Sequence, residues 1–259
     1  MICQGEMSFD NGRSLRSPAP PFPMKHLLAT VLLFLLATVS EAAKPKPFIF
    51  VPKDATEPMP VAVWLQGYRG YSPLGPMPGE TTEAMQKLAD TLGAVILGFP
   101  ATTDLGDDTQ QWSEEPVADH AYIQDRLKTL TTGLKVDLTR VGLFGFSQGA
   151  MVAADLATLY PDSYRGAILM SPGGMGAPKA AERRLPVHAT QVYFCFCGAE
   201  EHQGNVGLTK GYAEHLEKGL GAQVTLKLYE GVSKHTRPPD FMTQFTTWMG
   251  AILKPVEKR

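Results

Sequence analysis

Five consecutive residues, Gly145-Phe146-Ser147-Gln148-Gly149, have the types and spacing needed for nucleophilic chemistry. A short apolar run precedes them and a helical pattern of apolar residues follows, which predicts a strand-to-helix turn. In such a G-x-S-x-G turn the serine adopts a strained conformation, and the glycines let strand and helix approach closely. The Ser147 hydroxyl would then lie at a helix N-terminus, where peptide dipoles favour developing negative charge. The alternative is an ordinary serine in a glycine-rich turn.

An acid and a histidine follow two later apolar runs. Residues 191–197 predict a strand that ends before Glu200 and Glu201, and residues 224–229 predict one that ends before a loop with His235. This order of serine, acid and histidine suits a triad, although the residues leave open which glutamate is the acid. His235 is chosen by elimination, with a solvent-exposed loop histidine as the alternative. The other histidines lie in the leader, on helices, before the acid-bearing strand or in the acid loop: His26, His120, His188, His202 and His215.

Two further loops could complete a site. Residues 66–71 form a glycine-punctuated loop after the apolar run 61–65, and its backbone N–H groups could point at the serine as an oxyanion hole requires. An ordinary surface loop is the alternative. The polar stretch 101–115 contains Trp112, which could form part of a substrate wall or merely cover the edge of the core.

These loops need a scaffold of alternating strands and helices. The pattern predicts a mainly parallel β-sheet with helices on both faces, an α/β fold, because continuous apolar strands interleave with helical segments. Ligands bind at the carboxyl ends of such strands, where all of the candidate residues lie. Nothing divides residues 43–259, which we interpret as a single domain. The predicted strands are 47–51, 61–65, 94–99, 141–146, 167–170, 191–197 and 224–229, and the predicted helices are 81–92, 118–134, 148–160, 208–220 and 240–253.

Composition excludes several functional classes. The chain has 259 residues, of which 44% are hydrophobic, and a net charge of −2, so neither nucleic acid nor an anionic membrane is an expected partner. No cluster of residues has metal-ligand spacing, and we expect no metal or cofactor. Cys195 and Cys197 lie two apart in an apolar run, so they should point the same way and remain buried free thiols.

The N-terminal 42 residues resemble a leader. Met24-Lys25-His26 precedes an apolar stretch at 27–39, and Ser40-Glu41-Ala42 offers small residues for signal-peptidase cleavage. We expect cleavage near Ala42 and a secreted or periplasmic protein, with residues 1–23 as a mis-assigned extension. An uncleaved membrane anchor is the alternative, but the apolar stretch is shorter than the roughly 20 residues that a spanning helix needs.

From 48 to about 253 the chain resembles the α/β-hydrolase superfamily, specifically its small lid-less esterases: the carboxylesterase/acyl-protein thioesterase and polyhydroxybutyrate depolymerase/feruloyl esterase groups. The most specific likeness is Val136-Asp137-Leu138-Thr139-Arg140-Val141 leading into the serine motif. The resemblance implies Ser147 as nucleophile, His235 as base, and the Tyr68 and Gln148 N–H groups as oxyanion donors. It also implies Glu201 as the acid, where those families carry Asp. Gln66 stands where they carry His.

The resemblance, together with the predicted leader, implies an exported hydrolase of carboxylic esters that forms an acyl-enzyme on Ser147. About twenty residues separate the strands 167–170 and 191–197, too few for a cap domain, which predicts an open cleft for bulky, polymeric or surface-bound esters. Two alternatives are a serine peptidase of the same fold and an inactive hydrolase fold that acts as a binding protein.

Overall fold

The computed structural model describes residues 46–55, 58–70, 81–106, 109–113, 115–173, 179–188 and 190–255. The predicted leader, its cleavage site near Ala42 and the part of the loop 66–71 beyond residue 70 lie outside the described residues. Within the described ranges, no helix is long and apolar enough to cross a membrane.

A seven-stranded sheet forms the centre of the domain, as the apolar runs predicted. Its spatial order is β1-β3-β2-β6-β7-β8-β9, with β1 antiparallel to β3 and the other pairs parallel. Two shorter strands, β4 and β5, form a separate hairpin. The strands are β1 (Phe48–Phe50), β2 (Met59–Leu65), β3 (Val95–Gly98), β4 (Thr103–Gly106), β5 (Thr109–Gln111), β6 (Val136–Phe146), β7 (Gly166–Met170), β8 (Val192–Gly198) and β9 (Gln223–Tyr229).

Helices cover both faces of this sheet. On β2, Val63 and Leu65 face a core cluster shared with α2, α3 and α4, whereas Ala62 and Trp64 face a second cluster shared with α1 and α5. Alternate side chains of β2 therefore pack into two separate cores, one on each face of the sheet. The helices are α1 (Thr82–Leu92), α2 (Pro116–Leu130), α3 (Gln148–Leu159), α4 (Gln203–Glu214, continued by a π-helical turn, His215–Gly219) and α5 (Phe241–Ile252).

Two elements differ from the sequence prediction. The stretch 101–115, expected to lack regular structure, contains the β4–β5 hairpin. Helix α4 begins at Gln203 rather than at residue 208, because the His202 side chain accepts a hydrogen bond from the Gly204 N–H and caps the first turn. Glycines at 204 and 207 are poor helix formers and conceal this first turn in the sequence.

Candidate active site

The turn between β6 and α3 holds Ser147 in a strained conformation. Its φ is +56° and its ψ is −122°, values that a serine rarely adopts. A Cβ at Gly145 would collide with the backbone of Gly149, and one at Gly149 would collide with the carbonyls at the end of β2. The glycine spacing therefore exists because three segments of backbone meet at this turn.

The Ser147 hydroxyl lies at the start of α3 and is partly exposed. It donates to the Gly173 carbonyl oxygen at 3.4 Å, a long contact. The backbone of Ser147 is held from the same side, because its N–H donates to Met170 O at 3.0 Å and its carbonyl accepts from the Gly173 N–H at 3.3 Å. The segment after β7 thus supports the serine from beneath.

The loop after β2 lies directly against the serine. A Cβ at Gly67 would sit 3.1 Å from the Cβ of Ser147, so a larger residue would crowd the turn. The Gly70 N–H donates to Gly67 O at 2.9 Å and closes a tight turn, in which Arg69 has a φ of +52°. Tyr68 follows Gly67 in this loop, and Gln148 is the first residue of α3, directly after Ser147.

Trp112 is not a substrate wall. Its side chain is fully buried, so it covers the core and cannot line an open cleft. Its indole N–H donates to Gln66 O at 2.9 Å, and its backbone N–H donates to the Gln148 side-chain oxygen at 3.1 Å. Trp112 therefore ties the loop after β2 to the start of α3. This anchor uses the Gln66 backbone, so the substitution of His by Gln66 does not remove it.

Glu201 and His235 are paired. Glu201 Oε1 lies 2.5 Å from His235 Nδ1, with the carboxylate side chain 1% exposed and the imidazole 38% exposed. A carboxylate oxygen and an unprotonated imidazole nitrogen are both acceptors and would repel each other at this distance. A proton therefore lies between Glu201 Oε1 and His235 Nδ1, and we assign it to Nδ1. The imidazole packs on the ring of Phe146, with centroids 4.5 Å apart, which places it beside the residue that precedes Ser147.

The Glu201 carboxylate accepts three further hydrogen bonds. They come from the Ser171 hydroxyl at 2.9 Å, the Asn205 side-chain N–H at 2.6 Å and the Cys197 thiol at 3.4 Å. Burial alone would raise the pKa of Glu201, but the hydrogen bonds from these groups and from His235 outweigh it and lower that pKa. The acid therefore stays ionised at neutral pH although it is buried.

Glu200 points elsewhere. Its carboxylate accepts from the Gly231 N–H at 3.0 Å and is exposed. The neighbouring glutamates thus have separate tasks: Glu201 contacts the histidine, and Glu200 contacts the backbone at the start of the histidine loop.

The loop that carries His235 is fixed at its far end. Asp240, which precedes α5, accepts from the Tyr229 hydroxyl at 2.5 Å and pairs with Lys227 at 2.9 Å. Both partners lie on β9, so the end of the loop next to α5 is held against the strand from which the loop starts.

Sequence reasoning missed Ser171 and Asn205. Ser171 is buried at the end of β7 with a φ of +45°, and no motif surrounds it. Asn205 lies in the first turns of α4, where the sequence predicted a loop. A polar residue at the carboxyl end of a parallel strand was the available signal for Ser171. For Asn205 the signal was its spacing of four residues from Glu201, which brings side chains together on a helical turn.

Residues 106–252, more than half of the chain, match the model of the phospholipase/carboxylesterase family. The chain belongs to that family. This member of the phospholipase/carboxylesterase family is a carboxylic ester hydrolase. The matched range includes Trp112, Ser147, Glu201 and His235, whereas Tyr68 precedes it. Among curated proteins, no sequence matches the chain significantly.

Solved structures share the α/β-hydrolase fold with this family member. The Bacillus cereus carboxylesterase has a TM-score of 0.59 and 17% identity over 85% of this chain and 98% of its own. An S-formylglutathione hydrolase from Agrobacterium tumefaciens has a TM-score of 0.57 and 19% identity over 80% and 90%. Est1E from Butyrivibrio proteoclasticus, with ferulic acid bound, has a TM-score of 0.54 and 13% identity over 79% and 92%.

Proposed function

We propose that this protein is an exported serine esterase that hydrolyses carboxylic esters through an acyl-enzyme on Ser147. The observation that carries the proposal is the 2.5 Å contact between Glu201 and His235, whose imidazole packs beside the serine turn. A buried carboxylate on Nδ1 holds the tautomer in which Nε2 is free of its proton and acts as the base.

In the proposed acylation, the Ser147 hydroxyl turns from Gly173 O toward His235. Nε2 takes its proton while Oγ forms a bond to the ester carbonyl carbon. The tetrahedral intermediate collapses, the bond to the alcohol oxygen breaks, and the imidazolium gives its proton to the departing alcohol. Water then repeats these steps on the acyl-enzyme and releases the acid.

The Tyr68 and Gln148 N–H groups are the proposed oxyanion donors. Their support is the contact of Gly67 with Ser147 and the position of Gln148 at the start of α3, where the helix dipole favours negative charge. Loss of one such donor typically lowers kcat by about 10²–10³. The proposed steps use only groups of this chain and water.

The proposed substrates are bulky or polymeric esters. Between β7 and β8 the described residues form only a short 3₁₀ helix, Ala180–Glu182, which supports an open cleft. An ester panel tests this proposal: p-nitrophenyl esters of rising chain length, a feruloyl ester, a polyester and an acyl thioester, beside a panel of peptides. Preference for peptides would overturn the esterase proposal in favour of a peptidase.

A fluorophosphonate probe tests the nucleophile. We expect labelling at Ser147 in the wild type and none in Ser147→Ala. No labelling of the folded wild type would instead support a binding protein without activity. Export is tested separately by the intact mass of protein from a secreting bacterial host, because a mass that retains residues 27–39 would contradict it.

A further inference from the structure

Asn205 contacts both members of the acid–histidine pair. Its side-chain nitrogen lies 2.6 Å from Glu201 Oε1 and 3.2 Å from His235 Nδ1. Because Nδ1 already carries a proton directed at Oε1, two N–H groups converge on the same carboxylate oxygen. Asn205 therefore lies at the point where the acid and the base meet.

The orientation of the amide is fixed from its other end. A Cβ at Gly173 would lie 2.5 Å from Asn205 Oδ1, so the amide oxygen packs against the backbone segment that supports Ser147. The reverse orientation would bring Oδ1 against Glu201 Oε1, two acceptors in a buried site, which is unfavourable. The amide nitrogen must therefore face the carboxylate.

The length of the Glu201 side chain explains why these contacts are needed. Its side chain has one more rotatable bond than aspartate, so more freedom must be lost to hold its carboxylate in one place. Two groups from different elements restrict it: Ser171, after β7, holds Oε2, and Asn205, on α4, holds Oε1. Each oxygen thus has a fixed side-chain donor besides the histidine.

We propose that Asn205 is a positioning residue that holds the longer Glu201 side chain in the orientation in which it steadies His235. The proposal rests on the proposed function, since it gives Glu201 the role of triad acid. On this proposal Asn205 acts through Glu201 and His235 and not on the substrate.

The test is a double-mutant cycle measured with a p-nitrophenyl ester. Asn205→Ala should lower kcat about tenfold to a hundredfold, the range for one hydrogen bond to a charged group, with KM within about twofold of wild type. In a Glu201→Ala background the same change should lower kcat no further. Gln203→Ala, at an exposed position of the same helix, is the matched control and should leave kcat unchanged.

Equal losses in the two backgrounds would overturn the proposal, because Asn205 would then act on stability rather than through Glu201. If Glu201→Ala does not fold, Glu201→Asp replaces it. The shorter side chain withdraws from Asn205, so Asn205→Ala should again cost little. Full activity of folded Glu201→Ala would instead refute Glu201 as the acid, and the present proposal with it, while fluorophosphonate labelling of Ser147 would leave the nucleophile standing.

Discussion

The site has two halves that are built by different means. In the serine half, which comprises Ser147, the loop after β2 and the start of α3, backbone conformation and glycine spacing set the geometry. In the acid half, which comprises Glu201, Ser171, Cys197, Asn205 and His235, four side chains from different elements converge on the Glu201 carboxylate. The backbone geometry of the serine half requires glycine at fixed spacing, so this half has a recognisable sequence motif. The side chains of the acid half come from distant parts of the chain, so they form no sequence motif.

The largest expected effect comes from removing one residue of either half. Ser147→Ala and His235→Ala should each lower kcat about 10⁴–10⁶-fold, because the base has no function without the nucleophile it activates. The double variant should be scarcely worse than either single one. Circular dichroism and thermal unfolding would verify that all three fold. Additive losses would show that the halves work separately.

Within the acid half, the two glutamates should separate clearly. Glu201→Gln should lower kcat/KM by about 10⁴, since a neutral amide no longer steadies the imidazolium or fixes its tautomer. Glu200→Gln, the matched control, should remain within about tenfold of wild type, because its carboxylate contacts only the Gly231 N–H among the described groups. A reversed ranking would move the acid by one position and leave the serine half untouched.

A buried carboxylate outside both halves, Asp155, responds to pH in the opposite way to Glu201. On α3, burial raises the pKa of Asp155 to about 7, although the N–H groups of Ala180 and Lys179 donate to it. A raised pKa means that the folded state binds the extra proton. The contribution of Asp155 to the free energy of unfolding is therefore complete below about pH 4 and is lost as pH rises through 7. Glu201, with its lowered pKa, behaves oppositely and loses its contribution as pH falls.

Between pH 4 and pH 8 the free energy of unfolding should therefore fall by on the order of 2–4 kcal/mol less in Asp155→Asn than in the wild type. Urea unfolding at several pH values measures this change. Parallel curves for wild type and variant would show that Asp155 ionises normally in the folded protein.

The smallest expected effect probes the anchor of the serine half. Trp112→Phe removes the indole N–H that binds Gln66 O, so the loop after β2 should hold its N–H groups less well and kcat should fall about tenfold. Trp248→Phe, on the buried face of α5, is the matched control for the loss of a buried indole. Equal kcat values for the two variants would show that the anchor does not affect the reaction.

Much of this molecule was predictable from its sequence. The seven strands of the sheet, the helices on both faces and the serine turn follow from apolar periodicity and glycine spacing. Trp112 was ambiguous because a lone aromatic residue in a polar stretch gives no direction, and only the packing shows that it is buried. Asn205 was missed because two glycines conceal the first turn of its helix.

Glycine 67 has a consequence for protein engineering. Because a Cβ there would crowd Ser147, libraries that vary this position should yield few active clones. The next position is different: the Tyr68 side chain is 36% exposed, while its proposed contribution comes from its main-chain N–H. Randomising position 68 should therefore alter substrate preference without removing the oxyanion donor, which makes it the natural entry point for directed evolution of this enzyme.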